Sequence, residues 1–377
     1  MLYFKYKVFN MFELFKRLNR YRNNKFKQTK QYIQRLQLNR QKKNRSSFEP
    51  KNYRSVLIVM CDFGIGDVII HSFLIHELRK HNYEVSVVID KKNKFLFDYF
   101  IEIDHIYTFD KRNIKGFIKS DKKISVDLAI DLYDESQNSL RRVQLISSFK
   151  PLHTIGFNQE KFSQYDTSIK YKEYDSHITQ RCCITLNMLG IKFTDVSYYL
   201  NLKENDLEKA KLFLNKICIE RNKFIIIFNP HGSVETKSFS QEQINIIINF
   251  LSQLKNFITI IVGEQKCISN IPVLPNIFIN RNPSFFVTCA LVSLSDFVIT
   301  VDTSIVHVAS AYNIPMLAIF SNQIRSFFDL NKVWAPLSGN SEQIFVSENG
   351  KIVKQATIAK LEVNQLLKKL STLLMNQ

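Results

Sequence analysis

Three short loops hold the residues of this chain whose types and spacing could do chemistry. The first is Cys61-Asp62-Phe63-Gly64-Ile65-Gly66-Asp67. Gly64 and Gly66 would allow a tight turn and let a ligand approach the backbone closely. Asp67 stands at the mouth of a helix. Its carboxylate could take a proton from a hydroxyl nucleophile, or it could accept backbone N–H bonds as a plain cap; the residues alone leave both open. The loop falls short of a dinucleotide fingerprint, because Ile69 occupies the third glycine position and Asp67 would repel a pyrophosphate at the helix N-terminus. A dehydrogenase is therefore disfavoured.

The second loop runs Asn229-Pro230-His231-Gly232-Ser233-Val234-Glu235-Thr236-Lys237-Ser238-Phe239, ahead of a helix that Ser240 could cap. A lysine beside backbone donors, with Ser233 and Gly232 nearby, suits a phosphate, although most loop lysines are only solvated. The third loop, Val301-Asp302-Thr303-Ser304-Ile305-Val306-His307, joins a buried strand directly to a helix. Backbone N–H groups near Thr303 and Ser304 would make an anion site there. His307 follows Thr303 by about one helical turn on the same face. It could donate to a diphosphate; taken alone, a core histidine between helix and sheet is the plainer reading.

These loops need strands to present them, and the apolar pattern supplies strands. The continuous apolar run at 56–60 reads as a strand buried on both faces of a parallel sheet. A helix at 68–80 and strands at 84–89 and 126–130 follow. A second series places strands at 224–228, 258–262, 297–301 and 316–320, with helices at 241–254 and 304–312. A last helix is expected near 357–374. Two doubly wound α/β domains in tandem account for this order, and loops after strand ends are where such sheets bind ligands. The uncharged stretch 303–324 reads as helix, turn and buried strand rather than a membrane span.

Charge is concentrated at one end. Residues 1–54 hold 16 Lys and Arg against Glu13 and Glu49, whereas the remainder holds 36 basic and 32 acidic residues. A nearly neutral body gives no reason to expect nucleic-acid binding. Phe4, Val8, Phe12, Phe15 and Leu18 recur at helical spacing among cations, which fits an amphipathic helix on an anionic membrane surface; packing on the protein's own body or on a partner is the alternative. Residues 40–54 read as a linker. Cys61, Cys182, Cys183, Cys218, Cys267 and Cys289 form no C-x-x-C pair and look like buried thiols of a reducing compartment. His and Cys do not cluster at ligand spacing, so no zinc site is expected. Charges interrupt the N-terminal apolar residues, which excludes a signal peptide and points to a cytoplasmic protein.

At the three loops the chain resembles the heptosyltransferases of glycosyltransferase family 9. The family's strand followed by G-x-G-D matches Gly64-Ile65-Gly66-Asp67, and its D-x-x-I-D strand matches Asp127-Leu128-Ala129-Ile130-Asp131. Its N-P-x-(G/A)-S loop with a later K-x-(W/F) is similar to Asn229 through Ser233 and Lys237-Ser238-Phe239. Its D-(T/S)-G-x-x-H-x-A-A-A segment is similar to Asp302 through Ala311, with Pro315 downstream. Ser304 replaces the family's glycine, and Ser321-Asn322-Gln323 stands where G-P-(T/S) is common. The resemblance implies a GT-B fold of two Rossmann-like domains: an acceptor half at 55–203 and a nucleotide-sugar half at 204–355, preceded by a basic extension and linker (1–54) and closed by a helix (356–377). It also implies inverting, metal-independent transfer of a sugar, such as heptose from ADP-heptose, to a lipid-anchored lipopolysaccharide saccharide, with no cofactor. Asp67 would be the base. Ser233, Lys237, Asp302, Thr303, Ser304 and His307 would hold the donor, and Gly64 and Gly66 would shape the acceptor loop. The protein would sit on the cytoplasmic face of the inner membrane, its residues 1–45 against anionic lipid. Another sugar and glycan, or a catalytically silent GT-B binding protein, are the alternatives.

Overall fold

In a computed structural model, described over residues 2–40, 47–99, 103–120, 124–134, 139–217, 223–322, 324–325, 328–348, 351–352 and 356–375, the elements alternate much as the apolar pattern demands. The first series is α1 (Leu2–Arg40), β1 (Ser55–Met60), α2 (Ile65–Lys80), β2 (Glu84–Asp90), β3 (His105–Phe109), α3 (Ile114–Lys119), β4 (Leu128–Asp131), α4 (Ser139–Ser148), β5 (His153–Phe157), β6 (Thr167–Ile169) and α5 (Thr179–Met188). The second is α6 (Glu204–Ile217), β7 (Phe224–Asn229), α7 (Gln241–Ser252), β8 (Phe257–Ile261), α8 (Gln265–Ile268), β9 (Ile277–Ile279), α9 (Phe285–Ser293), β10 (Phe297–Val301), α10 (Ser304–Ala311), β11 (Met316–Phe320), the short β12 (Ile324–Arg325) and β13 (Phe328–Asp329), α11 (Leu330–Val333), β14 (Ser341–Phe345) and α12 (Val363–Met375).

The strands form two six-stranded sheets of the same winding. One has the order β3-β2-β1-β4-β5-β6 and the other β9-β8-β7-β10-β11-β14. Both reverse direction between their first and fourth strands, β1/β4 and β7/β10, and such switch points open a crevice at the strand ends. These are two Rossmann-like parallel sheets, as the GT-B expectation requires. All three chemistry-bearing loops follow strands at a switch point: β1, β7 and β10.

Contacts divide the chain into two units, one of Met1–Cys61 with Phe109–Tyr171 and one of Asp62–Thr108 with Lys172–Gln377. In the first, both aspartates of the D-x-x-I-D strand serve the fold. Asp127 Oδ2 accepts from the backbone N–H of Arg54 (2.7 Å) and Ser55 (2.9 Å), which fixes β4 beside the start of β1. Asp131 is fully buried at the end of β4. Its Oδ2 accepts from Arg142 Nε (2.7 Å) and from Tyr165 OH (2.6 Å). Arg142 also donates to Asp134 O and Ser139 Oγ, so this buried ion pair is fully hydrogen-bonded, which is the condition for tolerating one.

In the second unit, Ile226, Phe228, Ile244, Ile248, Ile261 and Leu317 build a core that α12 closes with Leu366 and Leu370. Ser240 caps α7: its hydroxyl accepts from Gln243 N (3.2 Å), while Gln243 Oε1 accepts from Ser240 N (2.8 Å). This reciprocal pair is the capping box that the Ser-x-x-Gln spacing suggests. The expected helix at 357–374 is instead a 3₁₀ turn, Ile358–Lys360, followed by α12. The Gln243 amide donates to the carbonyls of Ile358 and Leu361 and fixes the break between them.

The stretch 303–324 is helix α10, a turn and the buried strand β11 through residue 320, and no helix among the described residues is long and apolar enough to cross a membrane. Cys61, Cys182, Cys183 and Cys289 are buried thiols and Cys267 is partly exposed; Cys218 lies outside the described residues. So do residues 41–46 of the expected linker and the side chains of Phe4, Val8, Phe12 and Phe15.

Candidate functional site

The first loop is fastened from both sides. Asp62 N–H donates to Asp90 Oδ2 (2.8 Å), and Asn93 Nδ2 donates to Phe63 O (2.7 Å). The turn's left-handed residue is Asp62 (φ 69°), not either glycine. That corrects the reading of Gly64 and Gly66 as turn residues. Gly64 is the extended residue before α2 (φ −84°, ψ 178°). Gly66 lies inside the helix, and its service is proximity: a Cβ there would sit 2.7 Å from His307 Cδ2 and 3.6 Å from Ser304 Cα. The absent side chain lets α2 and α10 meet. The Asp67 carboxylate accepts the Gly64 N–H at 2.6 Å, so it does cap the helix. A carboxylate has lone pairs to spare after one such bond, so this cap does not by itself preclude a role as base.

Asn229, at the end of β7, holds the opposite wall. Its register partner across the sheet is Thr300 on β10. The Asn229 amide donates to Thr300 Oγ1 (3.1 Å) and Thr303 Oγ1 (2.8 Å). Thr303 caps α10 by accepting the Ile305 N–H at 3.2 Å. One amide therefore sets both the strand end and the helix start. Sequence reasoning gave Asn229 no role; the readable signal was an asparagine and a threonine ending two adjacent buried strands. Lys237 Nζ pairs with Asp302 Oδ2 at 2.5 Å, both partly exposed. Gly232 is required where the loop folds back, since a Cβ would lie 2.6 Å from Lys237 Cβ and O. Ser233 is exposed in that loop.

His307 is buried on α10, and its Nδ1 has no hydrogen-bond partner. Burial, then the nearby His177 and Lys237, lower its pKa to about 3, so the ring is neutral. His71 behaves alike. It sits one turn after Asp67 and donates from Nδ1 to the Asp67 carbonyl (2.6 Å), while its buried Nε2 is unpartnered. Burial lowers its pKa to about 4. His177, also lowered by burial, donates from Nε2 to Ala335 O (3.2 Å). Next to it Ile178 N–H donates to Val333 O (3.0 Å). These two bonds clamp residues 177–178 onto 333–335, with Trp334 between the two accepting residues. Neither His71 nor His177 stands out in the sequence, because a lone histidine with no metal-ligand partner nearby carries no positional signal.

Where the family has G-P-(T/S), Ser321 and Asn322 are buried. Asn322 adopts φ 48° and its amide binds Val346 O and Asn331; Gln323 lies outside the described residues.

The structure thus brings Gly66, Asp67, Lys237, Asp302, Thr303, Ser304 and His307 to the start of α2 and α10. The sequence profile of Glycosyltransferase family 9 (heptosyltransferase) matches residues 118–362. The chain belongs to glycosyltransferase family 9. Among relatives of this family, the Escherichia coli (strain K12) protein described as "Putative lipopolysaccharide heptosyltransferase 4" is 26% identical over 330 residues, covering 83% of this chain and 89% of that one. The crystal structure of a family 9 glycosyl transferase from Veillonella parvula DSM 2008 superposes with a TM-score of 0.68 at 17% identity, covering 88% of this chain and all of that one. Escherichia coli heptosyltransferase WaaC, solved with ADP-2-deoxy-2-fluoro heptose, superposes with a TM-score of 0.59 at 14% identity, over 84% of this chain and 99% of that one. Both superpositions show the shared family 9 fold.

Proposed function

We propose that this transferase moves a heptose from ADP-heptose onto a lipopolysaccharide core saccharide with inversion at the anomeric carbon. The observation that carries the reading is the approach of α2 to α10 at Gly66, which sets Asp67 near the anion-suited start of α10. Asp67 takes the proton of the acceptor hydroxyl as that oxygen forms its bond to the anomeric carbon. The bond from that carbon to the diphosphate oxygen breaks, and ADP carries the electron pair away. Lys237, the N–H groups opening α10 at Thr303 and Ser304, and a neutral His307 stabilise the leaving charge. These groups supply the positive potential that a metal supplies elsewhere. The WaaC complex supports an ADP-sugar donor by kinship.

In this reading residues 55–203 hold the acceptor and 204–355 the donor, with Ser233 at the donor loop and Gly64 beside the acceptor. The acceptor is lipid-anchored, and the protein works at the cytoplasmic face of the membrane. Turnover of ADP-heptose on a core saccharide, followed by the stereochemistry of the product, tests the proposal; a thermal-shift screen of ADP-, GDP- and UDP-sugars tests the donor, since a ligand that binds only the folded chain raises its stability. Asp67 and Lys237 are already engaged, with Gly64 and Asp302. If Asp67 serves only as the cap, the second reading holds, a non-catalytic nucleotide-binding protein, for which ADP binds and no sugar is transferred.

A further inference from the structure

Helix α1 wears its amphipathicity the wrong way round for a helix that packs on its own body. Its last turns are fastened to the first unit through polar groups. Asn39 Nδ2 donates to Lys161 O (2.9 Å), Ser163 N–H donates to Asn39 Oδ1 (3.0 Å), and Gln164 Nε2 donates to Leu38 O (2.7 Å). The half-buried positions, Gln31, Gln34, Arg35, Leu38 and Asn39, recur every three or four residues and form one face. At about 100° per residue, the large apolar side chains Leu18, Tyr21, Phe26, Tyr32, Ile33 and Leu36 gather in an arc on the other side. They are 42% to 75% exposed. Scattered surface apolar residues are ordinary, but six in one stripe call for a partner.

Charge selects that partner. Between positions 16 and 40 there are nine Lys and Arg and no carboxylate. A second copy of the helix would bring nine more cations against these, so self-pairing is opposed. Arg22, Lys25 and Arg40 project within the apolar arc, and the Lys25 ammonium lies over the Tyr21 ring at 5.0 Å. Aromatic rings with cations beside them suit the boundary between lipid headgroups and acyl chains.

We propose that the stripe between Leu18 and Leu36 docks flat on an anionic lipid surface, with Arg22, Lys25 and Arg40 meeting lipid phosphates and the body held on the helix's polar side by Leu38 and Asn39. The inference deepens the reading of a lipid-anchored acceptor. It narrows the contact expected over residues 1–45 to one outward face between Leu18 and Leu36.

Pelleting of the full chain with vesicles of phosphatidylcholine, with and without phosphatidylglycerol, tests it. Wild type should pellet only with the anionic vesicles and be released by salt. The double variant Arg22→Gln/Lys25→Gln should lower the partition about 25-fold, at roughly fivefold per cation near the surface. Phe26→Ser/Ile33→Ser should abolish pelleting, while Asn23→Ser, outside the apolar arc, should retain it. ADP affinity, measured by calorimetry, should be unchanged in all three. Equal pelleting with neutral vesicles, or wild-type pelleting by Phe26→Ser/Ile33→Ser, overturns the proposal. So does sedimentation showing that the stripe variant turns a dimer into a monomer, which would make the occupant a second copy. Stripe-dependent vesicle binding supports the docking face even if ADP does not bind, a result that would sink the transferase reading alone.

Discussion

Lys237 and Asp302 hold each other at 2.5 Å, so a diphosphate bound at the lysine as proposed would also meet a carboxylate. Removing the cation alone leaves that carboxylate unpaired and repulsive. Lys237→Ala should therefore weaken ADP binding by about 10- to 150-fold, the worth of a charge-assisted hydrogen bond. Adding Asp302→Asn should recover part of the loss, and calorimetry on the two variants decides. Asp67→Asn tests the base separately from the cap, because an amide oxygen can still accept the Gly64 N–H. Melting should change little, whereas transfer should fall about 10²- to 10⁴-fold; near wild-type turnover would make Asp67 a cap only. The buried histidines give a pH signature. His71 and His307 fold with pKa values lowered from 6.5 to about 4 and about 3. Below about pH 6.5 the unfolded chain binds protons that the folded chain refuses, so stability falls as pH drops toward those values, by up to about 1.4 kcal/mol per pH unit for each ring. Denaturant melts between pH 7 and 5 should show the slope, and His71→Gln should make it shallower.

At the scale of elements, α2 meets α10 where Gly66 lies against His307. Gly66→Ala would place a methyl 2.7 Å from a buried ring, which costs about 1–3 kcal/mol if the helices yield. The variant should melt lower and lose transfer together, because the shift that admits the methyl also moves Asp67. How much of this was legible follows from the physics of each element. The strands buried on both faces, β1, β7, β10 and β11, announce themselves as apolar runs, and because β1, β7 and β10 end at the three loops, the positions of those loops were legible. The strands β6 and β9 span only three residues each, too few for a pattern, and α9 is apolar on every side and so shows no helical period. What each site residue touches was not legible either. Gly66 reads as a turn glycine until α10 is laid beside it, and Asp62 takes the left-handed turn because a short polar side chain tolerates it. Asp127 and Asp131 read as a motif, yet Asp127 meets Arg54 and Ser55 only because β4 pairs with β1, and Asp131 meets Arg142 of α4 and Tyr165 ahead of β6 only once those segments pack at the end of β4.

For the molecule as a whole, two sheets wound in the same order repeat one architectural solution without a repeated sequence, and the three candidate loops fall at the reversal points. The basic extension stands apart from this plan: 16 of the 52 Lys and Arg lie in the first 54 residues. The contacts that hold residues 177–178 to 333–335 add an optical property. The chain has one tryptophan, and it is Trp334, placed between the two carbonyls that accept from Ile178 and His177. Indole emission from this protein therefore reports one locality. If that clamp loosens when a nucleotide sugar binds, the indole gains water around it, and its emission should shift to longer wavelength on the timescale of the motion. Stopped-flow mixing would then time the event with no label attached.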